Sequence, residues 1–224
     1  MVEHIVIITG GTVDLAWLKS TGPSCYFNRK NTCIMAADKG LLYAKEAGIP
    51  VDYILGDFDS LPEGILSEYM DSGAQIRTYP PEKDYTDTHL ALLWAMEIGA
   101  KKVTIIGGLG SRFDHSFANI SLLSMLLEHG IQGEIIDPCN CIFMMDKAHS
   151  GTITLKKREK EYISLISYTE KVTGITLRGF KYPLNNETLT IGISRGISNE
   201  LVEEEGRIQV EEGILLVSVS RDGI

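Results

Sequence analysis

Two carboxylates one residue apart, Asp57 and Asp59, stand in Gly56-Asp57-Phe58-Asp59-Ser60, directly after the apolar run Tyr53-Ile54-Leu55. The run reads as a buried strand whose end opens into a short acidic loop. Carboxylates held this close repel each other unless a cation lies between them. A hard divalent ion such as Mg²⁺ fits, because it takes oxygen ligands and bridges to substrate phosphates. The competing reading is a capped turn, with an Asp or Ser60 ahead of a helix that begins at Pro62. A second acidic pair, Asp84 and Asp87, follows Pro80-Pro81-Glu82-Lys83. Asp87 also reads as a first-turn helix charge, with Thr86 or Asp87 as the N-cap. Asp84 has no such role and falls in an exposed loop.

The third polar cluster is Gly107-Gly108-Leu109-Gly110-Ser111-Arg112-Phe113-Asp114-His115. Glycines permit close backbone approach and positive φ, so that successive N–H groups can face a phosphate. Arg112 adds a planar fork suited to phosphate oxygens. Asp114 would orient Arg112 or hold a metal-bound water. His115 either meets a phosphate or packs at a helix start. The segment lacks the GK[ST] of a Walker A loop, and no GxGxxG follows the first strand. A further polar segment, Gly192-Ile193-Ser194-Arg195-Gly196-Ile197-Ser198-Asn199-Glu200, is too rich in turn residues for a plain strand. It is a surface hairpin loop or a ligand loop, and Tyr182-Pro183-Leu184 ahead of it forms an apolar wall or packs a core.

The elements that must position these groups alternate over the first part of the chain. Apolar, β-branched runs fall at residues 5–8, 32–36, 53–55, 76–79, 103–106 and 134–136. Helical patterns occupy 39–47, 63–72, 88–98 and 116–129, with Leu90, Leu93, Trp94 and Ile98 sharing one face. This alternation predicts a mostly parallel sheet with helices on both faces. Asp38, the Asp57/Asp59 loop and the Gly107 loop each follow a strand, and ligands of open α/β sheets bind outside the carboxyl ends of the strands. After about Cys141 short β-rich runs replace helices, at 142–145, 151–155, 162–167, 173–177, 189–193, 207–210 and 214–219. Turn residues such as Asn185-Asn186-Glu187 and Glu211-Glu212-Gly213 separate them. The fold class expected is therefore an α/β N-terminal domain over 1–140 followed by an all-β C-terminal sandwich over 141–224.

The 224 residues are 44% hydrophobic, enough for a packed core. Lys and Arg number 21 against 30 acidic residues, a formal charge of -9 that disfavours nucleic acid or an anionic membrane as partner. Met1-Val2-Glu3-His4 runs straight into a strand with no signal-peptide pattern, and no apolar run reaches spanning length, so the expected location is cytoplasmic. Cys25, Cys33, Cys139 and Cys141 have neither CxxC nor zinc-ribbon spacing and read as reduced thiols.

The blocks Gly56-Asp57-Phe58-Asp59-Ser60, residues 84–87 with the helix behind them, residues 107–119, Tyr182-Pro183-Leu184 and residues 194–199 occur in an order that resembles the thiamine pyrophosphokinases. The resemblance spans nearly the whole chain. It implies an ATP- and Mg²⁺-binding α/β domain, a thiamine-binding β-sandwich, and transfer of a pyrophosphoryl group from ATP to the thiamine hydroxyl, giving thiamine diphosphate and AMP. It implies Asp57, Asp59 and Asp87 as catalytic and metal residues. Asp84, Thr86, Arg112, Asp114, His115 and Asn119 would serve ATP, and Ser194, Ser198 and Asn199 thiamine. It also implies a homodimer in which thiamine lies between chains. Two positions depart from the pattern: Tyr85, where a polar residue is common, and Lys39, where Gly is frequent. Two other classes carry some of the same features. A haloacid-dehalogenase-type phosphatase also places DxD after a strand, but at the first strand, which here ends Thr9-Gly10-Gly11. A thiamine- or nucleotide-binding sensor would keep the fold without the chemistry.

Overall fold

The computed structural model describes residues 2–20, 27, 31–59, 61–62, 64–82 and 84–223. Cys25, Ser60 and Lys83 therefore lie outside the described residues, and with them the readings of Cys25 as a thiol and Ser60 as a cap. The chain divides into two compact units, one of residues 1–122 and 131–138, the other of residues 123–130 and 139–224.

The first unit is built on six parallel strands. They are β1 (His4–Ile8), β2 (Thr32–Ala37), β3 (Tyr53–Gly56), β4 (Gln75–Thr78), β5 (Lys102–Ile106) and β6 (Gln132–Ile136). Their spatial order is β4-β3-β2-β1-β5-β6. The central strand reads Ile5-Val6-Ile7-Ile8 without alternation, and all four side chains are fully buried, as a strand covered on both faces requires. The helices are α1 (Leu15–Lys19), α2 (Gly40–Glu46), α3 (Ile65–Asp71), α4 (Asp87–Ile98) and α5 (Phe113–Glu128). Thr86 caps α4, its Oγ1 accepting from the His89 amide at 3.3 Å, and Gly99 ends the helix in the left-handed conformation. The sequence pattern missed α1, whose five residues are too few for a periodicity. It also started α3 too early: the N-cap position is Gly64, at φ +83°, and the helix begins at Ile65 instead of Pro62.

The second unit is all-β apart from the single turn α6 (Lys147–Ser150) and the end of α5. One sheet is antiparallel β7 (Asn140–Met145), β13 (Leu215–Ser220) and β9 (Tyr162–Ser167). The other runs β11 (Leu184–Thr190), β10 (Lys171–Arg178), β12 (Glu205–Gln209) and β8 (Thr152–Lys156). Between them lies one core that includes Ile163, Leu165, Ile175, Leu177, Phe180, Ile208 and Val217. Asn185-Asn186-Glu187, read as a turn, is instead the middle of β11. Asn186 takes φ +55° and the register against β10 slips there, so a bulge absorbs residues whose types signal a turn.

At the amino ends of β1, β5 and β6, His4 is held as a neutral base. Its Nε2 lies 2.9 Å from Thr104 Oγ1, and Thr104 in turn donates to Glu134 at 2.7 Å. Burial, helped by the nearby Lys102 charge, lowers its pKa to about 4, while Glu134 pulls the other way. The unfolded chain thus binds a proton at His4 near pH 6.5 that the folded chain refuses until about pH 4. The contribution is fully present above pH 6.5 and is lost as pH falls toward 4. His4→Gln is expected to narrow its stability gap to the parent by about 1–2 kcal/mol over that window, after allowing for the partial exposure of the ring. Denaturant unfolding of both proteins at pH 4 and pH 7 checks this. A gap independent of pH would mean that His4 titrates alike in both states.

Candidate functional site

In the strand order β2-β1-β5, the loop after β1 leads to one side of the sheet and the loop after β5 to the other. Such a switch point opens a crevice at the carboxyl ends of the strands. Here it is a cavity of about 600 Å³, with walls that include Thr9 to Thr12, Asp38, Lys39, Thr86 to Thr88, the 107–112 loop, His115 and Asn119.

Backbone contacts between the two loops shape the cavity. The Gly11 amide donates to the Gly107 carbonyl at 3.1 Å and the Thr12 amide to the Leu109 carbonyl at 2.9 Å. Any Cβ on Gly11 would overlap those carbonyls, and Gly107 sits at φ +76°. Tyr43 donates from α2 to the Gly11 carbonyl at 3.1 Å. Thr9 and Thr88 join hydroxyls at 3.1 Å, tying the end of β1 to the first turn of α4. Asn119, only 7% exposed, donates its amide to the Gly108 carbonyl at 2.8 Å. Ser116 accepts from the Gly110 amide at 3.0 Å.

Of the residues singled out from the sequence, Thr86, Asp87, Arg112, His115 and Asn119 come together on this cavity. Asp114 stands beside it as the partner of Arg112, accepting from Nε at 3.2 Å and from a terminal nitrogen at 2.5 Å. That pairing lowers the Asp114 pKa and raises that of Arg112. Asp57 and Asp59 follow β3, one strand outward from β2, and are not on the cavity wall; Asp84 is exposed in its loop. Neither Asp57 nor Asp59 caps α3, whose N-cap position is Gly64. Instead Asp57 Oδ1 accepts from the Asp59 amide at 3.1 Å, and Phe58 between them is held at φ +64°. Asp38, at φ +49°, abuts Gly56 and donates its amide to the Leu55 carbonyl at 2.9 Å. A bulky aromatic at positive φ is a strained conformation of the kind that gathers at functional sites. The sequence reading undervalued Thr9 to Thr12 and Lys39. The available signal was a glycine pair immediately after the most apolar strand.

The donor chemistry fits a hard cation. The candidate ligands Asp57, Asp59 and Asp87 are all carboxylates, set just after β3 and at the start of α4. Among the described residues no three His, Cys, Asp or Glu side chains are close enough to enclose an ion. An ion shared with substrate phosphates keeps waters and takes only one or two carboxylates directly, so Asp57, Asp59 and Asp87 would hold it partly through those waters.

In the second unit, Ser194 and Ser198 are exposed on the loop after β11, and Asn199 is buried. Asn199 Oδ1 accepts from the Tyr182 and Glu200 amides at 3.0 and 2.9 Å, and its Nδ2 donates to the Tyr182 carbonyl at 2.8 Å. The Ser198 amide donates to Ser164 Oγ at 3.1 Å, and Ser198 takes φ +57°.

Comparison with known proteins fits this geometry. The family described as thiamin pyrophosphokinase, catalytic domain, matches residues 26–135, and the vitamin B1 binding domain of the same enzymes matches 150–215. Thiamine pyrophosphokinase of Bacillus subtilis is 37% identical over 98% of this chain and 100% of its own. The chain belongs to the thiamine pyrophosphokinase family. A crystal structure of the Bacillus subtilis enzyme superposes with a TM-score of 0.86 at 33% identity, covering 99% of this chain and 100% of the other. That of thiamin pyrophosphokinase from Geobacillus thermodenitrificans superposes at 0.80 and 32%, covering 98% of each. No helix among the described residues is long and apolar enough to cross a membrane.

Asn119 is the prop of the glycine loop. Asn119→Ala is expected to cost about 1–3 kcal/mol of stability, because the Gly108 carbonyl loses a buried partner. Amide exchange at residues 107–110 should speed up in the same variant. Unchanged exchange there would show that the loop holds its shape without Asn119.

Proposed function

We propose that the cavity at the β1/β5 switch point holds the phosphates of ATP, with Asp57, Asp59 and Asp87 as Mg²⁺ ligands beside it. The chain is a thiamine pyrophosphokinase in activity: it transfers a pyrophosphoryl group from ATP to the hydroxyl of thiamine and releases AMP. The observation that carries the site assignment is the convergence of two glycine loops, the α4 N-terminus with Asp87, and Arg112 on one cavity. Neither the dehalogenase-type phosphatase nor the sensor finds support among the relatives described above.

In the reaction the thiamine hydroxyl oxygen forms a bond to the β-phosphorus of ATP. The bond from that phosphorus to the oxygen bridging the α- and β-phosphates breaks, AMP leaves, and the hydroxyl proton passes to a carboxylate, Asp59 or Asp87. Such transfers need positioning and charge neutralisation more than covalent help. Mg²⁺, when bound, neutralises phosphate charge. Arg112, steadied by Asp114, grips phosphate oxygens, with Thr86, His115 and Asp84 around the nucleotide. Asn119 serves the same substrate by holding the Gly108 carbonyl.

The division of labour in this proposal is ATP and Mg²⁺ on residues 1–140 and thiamine on 141–224. Its support is the vitamin B1 binding match, which contains Ser194, Ser198 and Asn199. The hydroxyls of Ser194 and Ser198 are exposed and suit the polar edge of thiamine, whereas the Asn199 amide is already engaged and positions the loop. Ile191, Ile193 and Ile197 are exposed on the same stretch, an apolar surface that a homodimer would cover.

Mixing the protein with ATP, thiamine and Mg²⁺ should yield AMP and thiamine diphosphate, and excess chelator should stop it. Asp57→Asn and Asp59→Asn are expected to lower turnover roughly a hundredfold or more each, with thermal unfolding unchanged. Near-normal turnover in either, or full activity in chelator, would defeat the metal assignment. Arg112→Lys keeps the charge but loses the fork, so the KM for ATP should rise while that for thiamine holds. Equal ATP kinetics would make Arg112 a surface residue.

A further inference from the structure

Among the described residues, Lys39 is one of two cationic side chains other than histidine on the cavity wall, the second being Arg112. The two differ in what already holds them. Arg112 gives two of its donors to Asp114. Lys39 is exposed, and among the described residues its ammonium meets no carboxylate. A Cβ placed on Gly10 would stand 3.3 Å from Lys39 Cβ, so the missing side chain at Gly10 leaves the lysine room against the cavity wall. On the same wall stand the carboxylates of Asp38 and Asp87, which repel a polyphosphate. The resemblance to the family offers no part for this residue, since glycine is frequent at its position.

We propose that Lys39 is a phosphate anchor of this chain, its ammonium contacting the polyphosphate of the nucleoside triphosphate and supplying the positive charge that Arg112 shares with Asp114. The inference rests on the assignment of this cavity to ATP. A compact ammonium on a flexible four-carbon stem suits a group whose charge shifts during reaction, because it follows the oxygens without a fixed bidentate geometry. Lys39 meets the phosphates in the bound substrate as well as in the transition state, so its loss acts on ATP binding more than on turnover.

The test compares the parent protein with Lys39→Met and Lys39→Arg. Lys39→Met should raise the KM for ATP about tenfold, the scale of one charge-assisted hydrogen bond, with kcat and the KM for thiamine little altered. Lys39→Arg should restore most of the loss. Calorimetry with a non-hydrolysable ATP analogue should show the same loss, shrinking as salt is raised, while adenosine binding stays as in the parent. Unchanged analogue affinity in Lys39→Met overturns the proposal. So does an equal loss for adenosine together with a lower melting temperature, which marks a structural residue. A parent protein that neither binds the analogue nor releases AMP overturns the ATP assignment itself, a result separate from failure at Lys39 alone.

Discussion

The contact of two loop backbones, Gly11 N–H on the Gly107 carbonyl and Thr12 N–H on the Leu109 carbonyl, is the constraint from which the site follows. Two chain segments more than ninety residues apart in sequence are brought to hydrogen-bond distance, and neither tolerates a Cβ at the closest point. The contact exists because β1 and β5 are neighbours in the sheet while their following loops part company. The threonine pair Thr9/Thr88 extends the link to α4, Tyr43 extends it to α2, and Asn119 extends it to α5. The two loops are therefore tied to each other and to three helices before any substrate arrives, and a site fixed in advance is what a phosphate demands.

Around that frame the charges are unevenly distributed. Carboxylates stand at the ends of adjoining strands, and the backbone beneath them is strained at Asp38 and Phe58. Strain of this kind persists only where the surroundings over-determine it. Here the largely buried strands β2 and β3 hold the loop ends, and Asp57 closes its own turn onto the Asp59 amide. The positive side is sparser. One guanidinium is bound side-on by its own Asp114, and one lysine stands with its Cβ beside Gly10. A chain of net charge -9 that handles a polyphosphate must concentrate its cations locally, because its overall field opposes the substrate.

Much of this was legible in the residues. Helix α4 announced itself through Thr86 and Asp87, and the structure caps it with Thr86; of its expected apolar face, Leu90 and Trp94 are buried but Leu93 is exposed. The buried strands announced themselves as unbroken β-branched runs. The parallel sheet and the antiparallel second part followed from the change of periodicity near Cys141. What stayed hidden was hidden for physical reasons. Helix α1 is shorter than the window in which a 3.6-residue period can be seen. The bulge at Asn186 lets turn-forming residues lie within a strand, because pairing with β10 overrides local preference. The Thr9–Gly11 wall reads in the sequence as a strand end because nothing local shows that Gly107 will close on it.

The two asparagines separate residue type from residue role. By resemblance, Asn119 and Asn199 both read as ligand groups, one for each substrate. In the structure each is buried and each spends its amide on main chain. Asn199 has both carbonyl acceptor sites and one donor occupied by the backbone of residues 182 and 200. A group so engaged gains little by exchanging one partner for a ligand atom, since the abandoned backbone group would then lie buried without a hydrogen bond. The exposed hydroxyls of Ser194 and Ser198 carry no such penalty. In the site proposed above, recognition therefore falls to short, exposed side chains, and the amides behind them fix where those side chains stand.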